Sequence, residues 1–280
     1  MTFRADPACL TPEMRLPIPL QGSISLVGAG PGSRDLLTFR AADRLARADA
    51  VFYDRLVDPE VLALARPGAA CIFVGKHVGA NAWPQHRINA VIVAAALQGQ
   101  HVVRLKSGDP SIFGRACEEI EAARAAGIPV DIVPGITAAS AAAAALCQPL
   151  TTRGQTDRIL IATGTCRPGD PAPDIAASIR PGTTLALYMA VHRITEIQSE
   201  LLASGLAADT CVSIVSSAGT AREYCLQTNL GDLCLDVQRV GLRNPAVIFV
   251  RCPKAPNRDV NASVDAPCLA HARPTVCADP

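Results

Sequence analysis

The chain has 280 residues, 49 % of them apolar but only 4 % aromatic, enough for one large or two medium cores built from aliphatic side chains. Its 26 basic and 25 acidic side chains nearly cancel, so no net field draws it to nucleic acid or a membrane surface, and any arginine cluster is a local site. The longest apolar run, residues 90–97, is far short of the ~20 residues of a membrane span.

Residues 1–21 carry Arg4, Asp6, Glu13 and Arg15 among several prolines. They read as a flexible arm without the apolar centre of a signal peptide, which sets the expectation of a cytoplasmic protein with no membrane partner. Residues 23–27 then form a buried strand that ends in Gly28-Ala29-Gly30-Pro31-Gly32-Ser33. A helix is expected next, with Leu36, Leu37, Phe39, Ala41 and Leu45 on its apolar side. The turn is like that of dinucleotide sites, but the third fingerprint glycine falls at Ser33 and Pro31 stiffens the loop, which disfavours a Rossmann site.

Strands at 50–53 and 71–74 deliver Asp54-Arg55 and Gly75-Lys76-His77 at their carboxyl ends. A helix opens at Pro84 and stops at Gly99. Strand 102–105 runs into the most crowded turn of the chain, Lys106-Ser107-Gly108-Asp109-Pro110-Ser111-Ile112-Phe113-Gly114-Arg115. A helix over 115–126 carries Glu118, and Gly127 ends it. Strand 130–133 leads through Pro134-Gly135-Ile136-Thr137 into an alanine-rich helix over 138–146, where Thr137 is placed to cap. Two glycine-containing strand ends ~25 residues apart form the walls of one ligand crevice.

Residues 148–157, with Thr151, Thr152 and Arg153, cross to a second unit. There, strands at 159–163, 184–189, 211–215 and 246–250 alternate with helices at 194–204 and 230–241. The expected organisation is α/β: an arm 1–21, an α/β domain 22–147 on a parallel sheet, a second α/β domain 148–252 and a disordered tail 253–280. The eleven cysteines contain no CxxC, and the histidines form no ligand-spaced pair with them; they read as reduced structural thiols, and no metal site is expected.

Taken in order, Val27-Gly28-Ala29-Gly30-Pro31-Gly32, Tyr53-Asp54-Arg55-Leu56-Val57, Val74-Gly75-Lys76, the crowded turn, Val133-Pro134-Gly135-Ile136-Thr137-Ala138-Ala139, Pro149-Leu150-Thr151 and Tyr188-Met189 resemble the uroporphyrinogen-III C-methyltransferases of the tetrapyrrole methylase family over roughly residues 22–252. The resemblance implies two α/β domains with a cofactor cleft between them, a homodimer, and S-adenosylmethionine as co-substrate with S-adenosylhomocysteine as product. The implied reaction is methylation of uroporphyrinogen III at C2 and C7, giving precorrin-2 by way of precorrin-1. Cofactor positions fall on Pro31, Ser107, Gly108, Asp109, Ile112, Thr137, Ala138, Met189, Ala218 and Ala246. Asp54 and Lys76 fall on positions of proton acceptor and donor.

The substrate's eight carboxylates give the local arginines a purpose, because guanidinium forks match carboxylates. Arg55, Arg115 and Arg153 are the candidates, with Glu118 orienting Arg115 or meeting a pyrrole N–H; Arg115 is also a candidate at the reacting centre. The chain departs from the family at Ser107 (glycine), Ser111 (phenylalanine) and Thr152 (histidine). Those departures keep two alternatives open, a methylase of a later precorrin and a tetrapyrrole-binding module of weakened activity. No further enzymatic domain is expected in the short stretch ahead of the first strand, and the product would feed siroheme, cobalamin or haem d1.

Overall fold

A computed structural model describes residues 22–75, 83–166, 169 and 173–254. The arm 1–21, the tail beyond Lys254 and Lys76 lie outside the described residues.

The first domain is built on five parallel strands, β1 (Ser23–Gly28), β2 (Ala50–Tyr53), β3 (Ala70–Phe73), β4 (His101–Lys106) and β5 (Val130–Val133), in the order β3-β2-β4-β1-β5. Alternate residues serve two cores, as the period of a strand requires. Ile24, Leu26, Phe52 and Val102 pack with Ile88 and Ile92 of α3 (Gln85–Leu97) and Ala116 and Ala123 of α4 (Ala116–Ala125). Val27, Val51, Val103 and Leu105 pack on the opposite face with Ala41 and Leu45 of α1 (Phe39–Arg47) and Val61 of the short α2 (Pro59–Leu62).

The helix expected from Leu36 onward begins later. Thr38 accepts a hydrogen bond from the Ala41 N–H and caps α1, which leaves Leu36 in a preceding 3-10 turn and Leu37 at its end. Phe39 therefore opens the helix and is 97 % exposed, not part of its apolar side.

The second sheet holds β6 (Arg158–Thr163), β7 (Thr183–Tyr188), β8 (Cys211–Ser216), β9 (Tyr224–Asn229) and β10 (Ala246–Cys252), in the order β6-β7-β10-β8-β9. Only β6 and β7 run parallel; β10 lies antiparallel between β7 and β8. β9 was not expected, because at the sheet edge only Leu226 of its six residues is buried and the apolar alternation is absent. Leu185, Leu187, Ile214 and Ile248 pack against α6 (Ile194–Ala203) and α7 (Leu233–Arg239).

The other face of this sheet takes α5 (Ala138–Ala145). Ala139, Ala141, Ala142 and Ala143 lie against Ala186, Val215, Val247 and Phe249. The helix that follows β5 in the chain thus packs on the second sheet, because its methyl side chains let backbone and strand approach closely. This crossing brings the carboxyl ends of β1, β2 and β4 to face the second domain.

Candidate active site

The two domains face each other across a cleft of about 600 Å³, a size suited to a drug-sized ligand. One wall is Pro31 and Gly32 after β1, residues 55–59 after β2, and Ser107, Gly108, Asp109, Ile112 and Phe113 after β4. The other is Tyr188 and Met189 at the end of β7, Val215, Ser217, Ala218 and residues 220–222 around the end of β8, and residues 244–247 entering β10; Thr137 and Ala138 at the start of α5 join the two. Ligands of open α/β sheets lie at such carboxyl strand ends.

The first wall is fixed by backbone contact. Gly30 and Gly108 exchange two hydrogen bonds, 3.3 and 2.6 Å. A Cβ on Gly135 would stand 2.2 Å from the Gly108 carbonyl oxygen and 2.8 Å from the Gly28 Cα, so the three strand ends close on one another only without side chains. Gly108 takes the left-handed backbone, φ 71°, and Ser107 is not among the positive-φ residues, which is how a serine is accommodated there. Asp109 holds the loop: Oδ1 accepts the Ser111 N–H at 2.8 Å and the Ser111 hydroxyl, and Oδ2 accepts the Gly135 N–H at 3.0 Å. Ser111 thus replaces a ring of the family pattern with a hydrogen bond inside the loop. Thr152 closes a tight turn with Thr156.

The second wall holds two side chains on unfavourable backbone, Met189 at φ 53° and Ser217 at φ 51°. Contacts between the walls retain them. The Tyr188 hydroxyl accepts the Ala139 N–H at 2.8 Å and bonds Thr137 Oγ1 at 2.6 Å. It therefore caps α5 in place of the expected Thr137 side chain, which makes no cap bond of its own. The Tyr188 ring lies 5.5 Å from that of Phe113, and the Ser33 N–H donates to the Gly219 carbonyl at 2.6 Å.

All the residues expected at a cofactor, Pro31, Ser107, Gly108, Asp109, Ile112, Thr137, Ala138, Met189, Ala218 and Ala246, lie in this lining. The charged candidates divide. Arg55 is in the lining. Asp54 stands one residue outside it, with its Oδ1 accepting the Leu56 N–H at 3.2 Å. Arg115 and Glu118, expected to face the substrate, are outside the lining and bound to each other by a two-toothed pair of 3.0 and 2.6 Å. Arg115 takes φ 56° just before α4, which turns it onto its own helix. Arg153 is exposed in the 152–156 turn and also misses the lining. Lys76 is outside the described residues.

Three features escaped sequence reading. Arg222 lines the second wall across from Arg55, and neither makes an ion pair among the described residues. The Tyr188 hydroxyl gives no sequence signal of its partner. The third is a buried charge cluster beneath the first wall: Arg104 Nε donates to Glu119 Oε1 at 3.1 Å, and Lys106 Nζ reaches both Glu119 oxygens at 3.0 and 2.9 Å. Burial, reinforced by the neighbouring Arg104, pulls the Lys106 ammonium below its ordinary pKa, against the opposing pull of Glu119. Two cations alternating in an otherwise apolar strand were the legible sign of it. Among the described residues no group of His, Cys, Asp and Glu has the arrangement of a metal site, and Cys71, Cys117, Cys147, Cys166 and Cys225 are free and exposed.

Residues 23–234 match the family Tetrapyrrole (Corrin/Porphyrin) Methylases. A uroporphyrinogen-III C-methyltransferase of Paracoccus denitrificans is 45 % identical over 231 residues, covering 82 % of this chain and 80 % of that protein. A siroheme synthase of Sodalis glossinidius is 43 % identical over 240 residues, 86 % of this chain and 50 % of that protein; the chain spans about half the length of the siroheme synthases it matches. The crystal structure of a uroporphyrin-III C-methyl transferase from Thermus thermophilus complexed with S-adenosylhomocysteine superposes with a TM-score of 0.70 at 36 % identity, covering 82 % of this chain and 92 % of that one. With the family match running from β1 into α7, well over half of the chain, the chain belongs to the tetrapyrrole (corrin/porphyrin) methylase family.

Proposed function

We propose that the chain is an S-adenosylmethionine-dependent methyltransferase that methylates uroporphyrinogen III at C2 and C7, giving precorrin-2 through precorrin-1. The observation that carries this reading is the convergence of the ten small, apolar and backbone-presenting positions on one interdomain cleft. Their make-up suits a ligand of that kind: the backbone of the 107–109 turn, left uncovered by a side chain at Gly108, the small side chains Ala138, Ala218 and Ala246, and the Met189 thioether. Bound there, S-adenosylmethionine supplies an electrophilic methyl group.

The protein's part is positioning and exclusion of water. The glycine-packed first wall and the Tyr188 contacts hold the two sides of the cleft in fixed relation, so that an electron-rich pyrrole carbon lines up with its target. Each transfer leaves the macrocycle one positive charge, which is removed by loss of a proton. Asp54, at the rim of the lining, accepts it, and Lys76 serves as donor or as a carboxylate partner. Arg55 and Arg222, on opposite walls and free of ion pairs among the described residues, hold substrate carboxylates. Arg115, Glu118 and Arg153 are left without a role inside the cleft. The functional unit is a homodimer. Its product stands at the branch toward siroheme, cobalamin and haem d1. The hydrogen bonds Ser111 makes, and the positive φ at Gly108 in place of Ser107, supply a structural use for the departures that favoured a weakened module.

Anaerobic incubation with S-adenosylmethionine and uroporphyrinogen III, read by mass, should show two added methyl groups. Asp54→Asn should lower kcat on the order of 10²-fold with S-adenosylhomocysteine binding retained. Absence of any methyl on this substrate would overturn the reading, and incorporation only into a later precorrin would move it to that substrate.

A further inference from the structure

Arg104 is 4 % exposed, and all three nitrogens of its guanidinium are committed. Nε donates to Glu119 at 3.1 Å; Nη1 donates to the carbonyls of Phe52 and Leu105 at 3.2 and 2.8 Å. The remaining nitrogen, Nη2, faces Asp54 Oδ2 at 3.6 Å. Glu119, fully buried, is in turn fixed by Lys106 and by the Gln85 amide, 3.1 Å away. Gln85 is held by Asn89 at 2.9 Å, and Asn89 donates to the Glu118 carbonyl at 3.0 Å. The network ties α3, α4, β2 and β4 into one unit, and the member that reaches the cleft rim is Asp54, 30 % exposed.

A guanidinium is a planar fork, so fixing two of its nitrogens fixes the direction of the third. Two buried cations against one buried carboxylate also leave one positive charge to be balanced, and Asp54 is the anion placed to balance it. We propose that Arg104 is the positioning residue for Asp54: the buried Glu119–Arg104 fork sets where the Asp54 carboxylate stands and keeps it turned toward the cleft. This rests on the reading of Asp54 as proton acceptor.

The test is a double-mutant cycle on turnover, with S-adenosylhomocysteine binding and circular dichroism establishing that each variant is folded. Arg104→Lys keeps the charge and loses the fork. It should lower kcat on the order of 10²-fold, as expected for a misplaced reacting group, with little change in KM. Introduced into Asp54→Asn, the same substitution should cost almost nothing further, because the group it positions is gone. Should Arg104→Lys fail to fold, Arg104→Gln takes its place, since Lys106 alone still neutralises Glu119. Losses that multiply in the double variant overturn the positioning role while leaving Asp54 as proton acceptor. Full activity in Asp54→Asn alone overturns that reading, and the positioning role with it.

Discussion

The two walls of the cleft reach a fixed geometry by opposite means. The first is made by parallel strands whose ends touch: Gly28, Gly108 and Gly135 meet backbone to backbone, and Asp109 gathers the loop beneath them. The second belongs to a mixed sheet and is shaped by Met189 and Ser217 on left-handed backbone. Their conformations persist because contacts across the cleft, between the Tyr188 and Phe113 rings and at Ser33–Gly219, over-determine them. One wall is rigid on its own and the other borrows rigidity from its neighbour. A ligand spanning both therefore finds one preformed surface and one whose order depends on the domains staying together.

The sharpest way to break this contrast is one methyl group on each side. Gly135→Ala places a Cβ within 2.2 Å of the Gly108 oxygen, with backbone on both sides and no side chain able to yield. We expect a loss of about 1–3 kcal/mol in denaturant unfolding, as for other overpacked sites, with a collapse of S-adenosylhomocysteine affinity. On the second wall, Ala218→Gly removes a methyl that is 7 % exposed and should cost only about 0.8 kcal/mol. Equal losses at the two sites would mean that the walls are held alike.

A smaller effect probes the borrowed rigidity. Tyr188→Phe keeps the ring against Phe113 and removes the oxygen that bonds Thr137 and the Ala139 N–H. Stability should fall by about 1 kcal/mol, the usual worth of such a bond. If the second wall depends on this link, cofactor affinity falls with it. An unchanged affinity would show that the second wall orders itself.

The same contrast explains what was legible. The first wall could be read because its requirements are local: a glycine at each strand end, apolar runs in parallel strands, and alternate residues feeding two cores. Arg104 and Lys106 were in plain sight, but their use depends on Glu119, placed opposite them only by the packing of α4. In the second domain the strands of the interior were readable and the edge strand β9 was not, since its residues face solvent. Arg222 and the Tyr188 cap were invisible for a related reason. Tyr188 acts through Thr137 and Ala139, far away in the chain and brought near by the docking of α5 on the second sheet, and Arg222 reaches the cleft only because the two domains face each other. Arg115 and Arg153 stand outside the lining because a loop position in the sequence does not give a side chain's direction: a positive φ turns Arg115 onto its own helix, and the 152–156 turn carries Arg153 away.

At the opposite, amino-terminal end of the first sheet, charge serves stability and should leave the cleft untouched. Asp49, just ahead of β2, accepts the His101 N–H at 2.7 Å and pairs with Arg66. The His101 N–H is the main reason its pKa lies below the ordinary 3.8, with Arg66 adding to it and burial opposing. Between the lowered value and 3.8 the unfolded chain binds more protons than the folded one, so stability rises with pH there. The contribution is complete above 3.8 and is lost as the pH falls through the folded-state value. In Asp49→Asn the amide oxygen still accepts the His101 N–H, so what disappears is the charge. Urea midpoints should show the wild type ahead at neutral pH by less than about 1 kcal/mol, as suits a partly exposed pair. The gap should close in strong acid, and S-adenosylhomocysteine affinity should be equal in the two proteins throughout. A gap that survives in acid would assign the difference to packing at the start of β2 and not to the carboxylate.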